Sequence, residues 1–465
     1  MTSYSPPPRP RLFAITWPIF SEHLLHATIG LLFVWLTARI SDDTAAAFGL
    51  SNQIMAFFII LFRLVGVGAS VVITQYLGAG DRTGAERIAR ASLAAALWLG
   101  LASAALVAFG AGPLLTLMKL PEALRPEAQP YLVILGLVLA VDAIIATMSS
   151  VLRAYTFTRD TLRLMLMMYG FSLLAGLPLM FGFGPLPKLG LVGIGIGYLL
   201  ARVASLVWHI VLWRKRLSIR PMRGDWWRLQ RAPLAEMAHI GLPGAGENIA
   251  YRIAFTWVLS FVAAMGSAEL ATYTYMLQVS YFILLTGLAI GFGTEIVVGH
   301  QIGAGHLHDA NRVVKKALFW GLGVSTVLAL IAACSSKAIF GFFSDDPKIV
   351  AIGSQLLWVL VLLEPGRTFN LVVINALRAA GDARFPVAFG VFSMFGVAVG
   401  LAWLLGVSAG WGLLGIWLAM AADEWVRGIA MYVRWRRLAW VPHARATRRR
   451  IQTQQPCYPE PVEAT

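Results

Sequence analysis

The chain has 465 residues, of which 58% are hydrophobic and only 13% charged, and its mean hydropathy is +0.71. Soluble globular proteins have about 25% charged residues, so this composition excludes an ordinary soluble protein and indicates one that lies in a lipid bilayer. The net charge of +15 would also suit a nucleic-acid partner. Two cysteines allow one pair at most, so we expect neither a disulfide framework nor a metal centre.

Twelve apolar runs are long enough to cross a membrane, which takes roughly 20 mostly apolar residues. The runs lie near residues 14–38, 46–77, 86–117, 128–153, 161–182, 190–213, 235–263, 271–302, 312–342, 349–377, 384–407 and 411–435. The connections between them are short and rich in Gly, Pro or charge. The sequence therefore predicts an all-α polytopic membrane protein with twelve transmembrane helices.

The basic residues are distributed unevenly between the two sides of the predicted membrane. Of the 38 Lys and Arg residues, 27 fall in the termini and one set of alternate connections, six in the other set and five inside the runs. Because cytoplasmic loops carry the excess of Lys and Arg, both termini are predicted to be cytoplasmic. This explains the charge without nucleic acid, and we expect an inner (plasma) membrane location.

The sequence repeats itself at a constant offset of 225 residues over much of each half. The matched pairs include Pro18 with Pro243, Glu22 with Glu247, Gln53 with Gln278, and the GAG of 78–80 with that of 303–305. Each half holds an even number of crossings, so the repeats are parallel. The predicted segments are a cytoplasmic tail 1–12, an N-lobe 13–215, a basic cytoplasmic linker 216–233, a C-lobe 234–438 and a cytoplasmic tail 439–465.

A glycine-rich stretch, QYLGAGDRTGAERIARASL at 75–93, ends the second run. Its glycine spacing is one residue longer than the dinucleotide fingerprint, and no lysine in the chain follows a glycine as a Walker A loop requires. No nucleophile elbow or metal motif is present either, so an enzyme is disfavoured. We interpret the stretch as a tight cytoplasmic turn between two helices.

Three motifs stand at helix ends or near helix starts: P-x-x-x-E in the first and seventh helices, QYLGAG and HQIGAG at the ends of the second and eighth, and LRAAGDARFP after the tenth. In this order and spacing they resemble the motifs of the multidrug and toxic compound extrusion (MATE) transporters. The resemblance implies two six-helix bundles around a central cavity, a monomer without cofactor, and export of organic cations or drugs in exchange for H+ or Na+ by alternating access. The alternative is a lipid-linked oligosaccharide flippase of the same broad superfamily.

Glu22 and Glu247 are the first candidate site residues, because each follows a proline near a helix start at equivalent positions of the two halves. Ionisable groups within a span are costly and are functional candidates by default. A carboxylate at these positions could bind a cationic substrate and a proton in turn. Alternatively, both could cap helix starts or bind backbone across the lobe interface.

Glu364 and Arg367 form a second candidate pair, because residues three apart share one helix face and can neutralise each other. The intervening Pro365 and Gly366 would loosen the helix, as in the broken helices that build ion sites in transporters. Alternatively, the pair only stabilises a bend.

Asp423, Glu424 and Arg427 are spaced i, i+1 and i+4 in the last helix, which places both carboxylates within reach of one arginine. The surplus carboxylate makes this cluster a possible proton network. We favour a structural network that could still exchange a proton.

Three further polar residues lie inside predicted helices. Asp142 has no cation nearby in sequence and is a proton-site candidate, unless it forms a salt bridge with Arg63 or Arg202. Gln53 and Gln278, which match across the repeat, could bind substrate or cross-link helices.

One position departs from the family pattern. Many relatives carry an ion-binding aspartate halfway along the first helix, where this chain has Phe33. Ion coupling through that helix is therefore doubtful, and we expect it at Glu22, at Asp142 or in the second lobe.

Overall fold

The computed structural model describes residues 11–185 and 187–454, and the side chain of Arg63 lies outside the described part. Within that part the structure is helical and contains no strand. The helices are α1 Leu12–Ala38, α2 Asp42–Gly78, α3 Arg82–Leu117, α4 Arg125–Ala154, α5 Thr158–Phe181, α6 Gly190–Leu212, α7 Arg223–Trp227, α8 Arg231–Met265, α9 Ser267–Ala304, α10 Leu307–Cys334, α11 Ser336–Phe343, α12 Pro347–Ala379, α13 Arg384–Ser393, α14 Gly412–Arg436 and α15 Val441–Gln454.

Eleven helical segments of the described chain are long and apolar enough to cross a membrane. A twelfth long helix, α14, carries Asp423, Glu424 and Arg427 near its middle. The helical class predicted from the sequence is therefore correct, with eleven clearly apolar segments and one that is interrupted by charge.

Three elements differ from the sequence-based boundaries. The predicted run 312–342 is two helices, because α10 ends at Cys334 and α11 begins at Ser336. The run 384–407 starts as α13 and continues as two π-helical segments that end at Ser408. No helix was predicted after 435, yet α15 forms there and buries Ala444 and Ile451. Its remaining residues are mostly polar, so α15 has no apolar run and depends on tertiary contacts.

The chain packs as two bundles with separate apolar cores. One core lies within α1–α6 and is built on large side chains such as Phe33, Phe62 and Tyr131. Another lies within α8–α14 and includes Tyr273 and Trp417. The bundles correspond to the two sequence repeats, because each repeat supplies the helices of one core.

The bundles meet at the end that carries the glycine-rich turns after α2 and α9. There, a methyl group on Gly241 would overlap the backbone of Leu64, and one on Gly303 would overlap the backbone of Gln75. Only glycine allows such close approach of two helix backbones. This end of the molecule is therefore sealed by direct contact between the bundles.

Two equivalent hydrogen bonds cross the sealed end. Gln75 Nε2 of the first bundle donates to the carbonyl of Ala379 at 2.8 Å, and His300 Nε2 of the second lies 2.9 Å from the carbonyl of Ala154. In the repeat, Gln75 matches His300 and Ala154 matches Ala379, so the repeat also governs how the bundles join. Sequence analysis did not identify either bond.

Helix α15 lies across the same end and contacts both bundles. Tyr76 of α2 donates to Gln454 Oε1 at 2.5 Å, while Arg450 lies 3.5 Å from Glu236 of α8. Away from this end, Phe57 on α2 and Leu259 on α8, which lie on the same helix faces as Leu64 and Gly241, are 54% and 37% exposed. A cleft between the bundles therefore opens opposite the sealed end.

Candidate functional site

Glu22 and Glu247 each bind an arginine of their own bundle. Arg153 Nη1 donates to Glu22 Oε2 at 3.0 Å, and Thr161 donates to the other carboxylate oxygen. In the second bundle, Arg378 Nη2 donates to Glu247 Oε2. Both carboxylate side chains are largely buried, at 8% and 11% exposure.

The two arginines also occupy matching positions of the repeat, so the ion pairs are repeats of one another. The LRA triplets at 152–154 and 377–379 supplied the signal, but sequence analysis did not connect them with the glutamates. The expectation of a proline near each helix start was wrong, because Pro18 and Pro243 lie inside α1 and α8. Neither glutamate caps a helix or crosses the lobe interface. Each links the first helix of its bundle to the fourth.

Glu364 and Arg367 form the expected ion pair, at 2.9 Å between Arg367 Nη1 and Glu364 Oε1. Ser280 of α9 donates to the same carboxylate oxygen at 2.5 Å and accepts a bond from Arg367 at 2.9 Å. Helix α12 continues through Pro365, so the expected break in the helix is absent. The pair is thus held on a continuous helix, with Glu364 fully buried.

Arg367 also connects this pair to the last long helix. Its Nε lies 3.4 Å from Glu424 Oε1, and Asn370 donates to the second oxygen of Glu424 at 2.9 Å. Arg427 Nη2 lies 3.0 Å from Glu424 and 2.7 Å from Asp423. Glu364, Arg367, Asp423, Glu424 and Arg427, which we call the C-lobe cluster, therefore form one network that joins α12 to α14.

The charges of the C-lobe cluster do not balance, since three carboxylates face two guanidinium groups. None of the five side chains is more than 9% exposed. Ser393 donates to Asp423 at 2.6 Å, which leaves the surplus charge only partly compensated. A small cavity of about 30 Å³ lies beside Asp423, Glu424 and Arg427, and that volume suffices for one water molecule.

The first bundle holds a balanced pair instead. Arg202 Nε donates to Asp142 at 3.1 Å, so the salt bridge considered for Asp142 forms with Arg202. The guanidinium also stacks on the rings of Tyr198 and Tyr169, and His26 Nδ1 lies 2.5 Å from the Tyr169 hydroxyl. Because each charge has a partner of opposite sign, this site has no surplus carboxylate.

The remaining candidates are distributed differently. Phe33 is fully buried and packs against Phe48 and Tyr198 in the first apolar core. The first helix therefore has an aromatic contact at the position where relatives are expected to bind an ion. Gln53 is exposed and Gln278 is half-buried, and neither joins the networks described above.

The fold and the buried charge networks define a polytopic helical membrane protein of two pseudo-symmetric bundles, the architecture of secondary transporters. The MatE family profile matches residues 18–181 and 243–404, two segments that begin at the matched prolines of the repeat. The chain belongs to the MatE family of multidrug and toxic compound extrusion transporters.

Relatives support this assignment along nearly the whole chain. The uncharacterized transporter YisQ of Bacillus subtilis is 38% identical over 430 residues, covering 92% of this chain and 94% of its own. A probable multidrug resistance protein NorM of Pseudomonas putida is 29% identical over 426 residues, covering 88% and 90%. Multidrug resistance protein PmpM of Pseudomonas aeruginosa is 25% identical over 409 residues, covering 85% and 84%.

Solved structures show the same fold. An outward-facing multidrug resistance MATE family transporter of the MOP superfamily superposes with a TM-score of 0.84 at 18% identity, covering 93% of this chain and 96% of that one. The Vibrio cholerae MATE transporter VcmN in its bent form gives 0.82 at 18% identity, covering 94% and 97%. These matches show that the chain has the fold of the MATE transporters along nearly its whole length.

Proposed function

We propose that this protein is a proton-coupled antiporter that exports amphipathic organic compounds by alternating access of the cleft between its bundles. Membership of the MatE family supports export, and the sequence resemblance favours organic cations or drugs as substrates. The separation of the bundles on one side and their contact on the other supports alternating access, since two glycine-mediated contacts would have to open in the opposite state.

The observation that carries proton coupling is the surplus carboxylate of the C-lobe cluster. A buried charge without a partner costs several kcal/mol, whereas a proton on one carboxylate balances the cluster at two charges of each sign. Asp423 and Glu424 share Arg427, so they bind this proton as a coupled pair. The adjacent cavity gives water, and hence protons, a place beside them.

The same geometry favours H+ over Na+. A sodium ion needs several oxygen ligands, but five of the six carboxylate oxygens of the cluster already accept bonds, and only Glu364 Oε2 is without a partner among the described residues. Guanidinium groups at 2.7–3.0 Å from the carboxylates also repel a second cation. A proton requires no ligand shell and adds the same charge.

The test measures dye efflux from proteoliposomes driven by an imposed pH gradient. The wild-type protein should transport in response to the gradient, and collapsing it should stop net efflux. Asp423→Asn balances the cluster without a proton, so we expect loss of gradient-driven transport with dye binding retained. Glu122→Gln, at a carboxylate whose side chain is 89% exposed, is the matched control.

The proposal is wrong if Asp423→Asn transports as fast as wild type under a pH gradient. It is equally wrong if a sodium gradient alone drives efflux in the wild-type protein at uniform pH.

We further propose twelve spans, with α14 as the last, both termini in the cytoplasm of an inner membrane, and a monomer without cofactor. The arginine-rich turn at the sealed end supports this orientation. Membrane-impermeant thiol labelling of a cysteine placed at Arg312, whose side chain is 73% exposed, should require access from the cytoplasmic side. Labelling of this cysteine from outside intact cells would show that the protein has the opposite orientation in the membrane.

A further inference from the structure

Arg252 is an exposed arginine in the middle of α8, and the proton network does not use it. In the described part of the chain no carboxylate lies within ion-pair distance of its guanidinium. An arginine inside a span that faced lipid would be costly, so such residues face the protein interior or a water-filled cavity. The direction of its side chain therefore decides its role.

Two features of α8 indicate which face of the helix carries Arg252. Ala250 and Ala254 are buried against the second bundle and lie about 160° around the helix from Arg252. Gly241, which touches Leu64 of the first bundle, is three turns away and only about 20° from the direction of Arg252. The arginine thus lies on the face of α8 that is directed toward the opposite bundle, above the point where the bundles separate.

Gln53 occupies the corresponding position on the other wall. Gln53 lies three turns of α2 away from Leu64 and only about 20° around the helix from it. Its side chain is exposed. With a rise of about 1.5 Å per residue, Arg252 and Gln53 each lie roughly 16 Å above the Gly241–Leu64 contact. A guanidinium and an amide therefore face each other at the same depth of the cleft.

Apolar side chains lie beside these two polar ones. Phe57 lies on the same face of α2 as Gln53, and Leu259 on the same face of α8 as Arg252, and both are exposed. The repeat mate of Arg252 is Ala27, so the equivalent position of the first bundle carries no charge. The carboxylates of the C-lobe cluster are buried in the second bundle, and each is bonded there to Arg367 or Arg427 rather than to Arg252.

We infer that the cleft binds an anionic group of its substrate at Arg252, with Gln53 as a second hydrogen-bond donor. The transported compounds would then be amphipathic molecules that carry a carboxylate or a similar anion, including zwitterions in which this anion accompanies a cationic group. Arginine suits this role because its planar fork binds a carboxylate through two parallel bonds. This inference specifies the substrate class of the transport function proposed above.

A pair of dyes that differ in one charge tests the inference. Rhodamine 110 has a free carboxylate, and rhodamine 123 is its methyl ester with the same ring system. Binding of each dye to the purified full-length protein in detergent is measured by fluorescence anisotropy. Arg252→Gln should raise the Kd of rhodamine 110 about tenfold, since one charge-assisted bond is lost, and change that of rhodamine 123 less than about twofold.

Arg312→Gln is the matched control, because it removes the same charge at the sealed end from a side chain that is 73% exposed. It should leave both Kd values unchanged. Arg252→Lys keeps the charge but loses the planar fork, so its Kd for rhodamine 110 should lie between those of the wild-type protein and Arg252→Gln. Unchanged binding of rhodamine 123 also shows that the Arg252→Gln protein is folded.

The inference is overturned if Arg252→Gln weakens both dyes equally, or weakens neither. Its outcome is separable from that of proton coupling. If Arg252→Gln weakens only rhodamine 110 but a pH gradient drives efflux of neither dye, the anion site is supported and proton coupling is contradicted. If a pH gradient drives efflux but Arg252→Gln does not distinguish the dyes, proton coupling is supported and the anion site is contradicted.

Discussion

The paired glutamates give the sharpest test of structure against function. Glu247→Gln removes the charge that balances Arg378 while keeping one oxygen that can accept a bond. Breaking a buried ion pair by removing one partner costs about 3–5 kcal/mol, and a retained hydrogen bond recovers about 1 kcal/mol. With both side chains only 11–13% exposed, we expect a net loss of about 2–4 kcal/mol.

This loss is measurable as a thermal shift of the purified protein. For a unit of about 150–250 residues, 1 kcal/mol corresponds to about 2–4 °C, so the tryptophan-fluorescence Tm should fall by about 4–16 °C. Glu22→Gln should lower the Tm by a similar amount, because the Glu22–Arg153 pair is the equivalent of the Glu247–Arg378 pair in the first half of the repeat. Adding Arg378→Gln to Glu247→Gln removes the uncompensated charge and should restore part of the Tm. Glu122→Gln, at an exposed carboxylate, should leave the Tm unchanged.

Transport by the folded Glu247→Gln protein should then remain close to wild type below its Tm. The structural interpretation is refuted if the Tm is unchanged while transport is abolished. That result would make Glu247 a direct binding site for substrate or proton, as the sequence had suggested.

Two further substitutions test other contacts. Phe33→Asp would place the aspartate of the family pattern in a fully buried aromatic contact, and we expect a loss of roughly 3–5 kcal/mol, seen as aggregation in size-exclusion chromatography. A stable, monodisperse variant would contradict this. Gly303→Val should prevent the close approach to Gln75, so spin labels at positions 86 and 312 should move apart by electron-electron distance measurement. An unchanged distance distribution would show that the contact does not hold the bundles closed.

Local patterns allowed the helices and several contacts to be predicted from the sequence. Apolar runs placed the long helices within a few residues, because a span requires about 20 apolar residues wherever it occurs. The Glu364–Arg367 pair and the contacts of Arg427 with Asp423 and Glu424 follow from the helical period of about 3.6 residues per turn. The constant offset between the two halves likewise indicated the two-bundle organisation.

Contacts between helices were decided by the tertiary structure alone. The sequence placed Glu364 and Glu424 in separate clusters, and only the packing of α12 against α14 brings Arg367 between them. Helix α15 had no apolar run, so its docking on both bundles could not be anticipated.

The sequence and the tertiary structure also determine different parts of the functional interpretation. The sequence by itself determined the membrane class, the repeat and the family, because these depend on composition and on spacing along one chain. The tertiary structure decided that Glu22 and Glu247 are paired, that the C-lobe cluster has a surplus carboxylate, and that Arg252 is exposed on α8. Charge balance depends on which side chains lie within a few ångströms, and distant parts of the chain reach that distance only through folding.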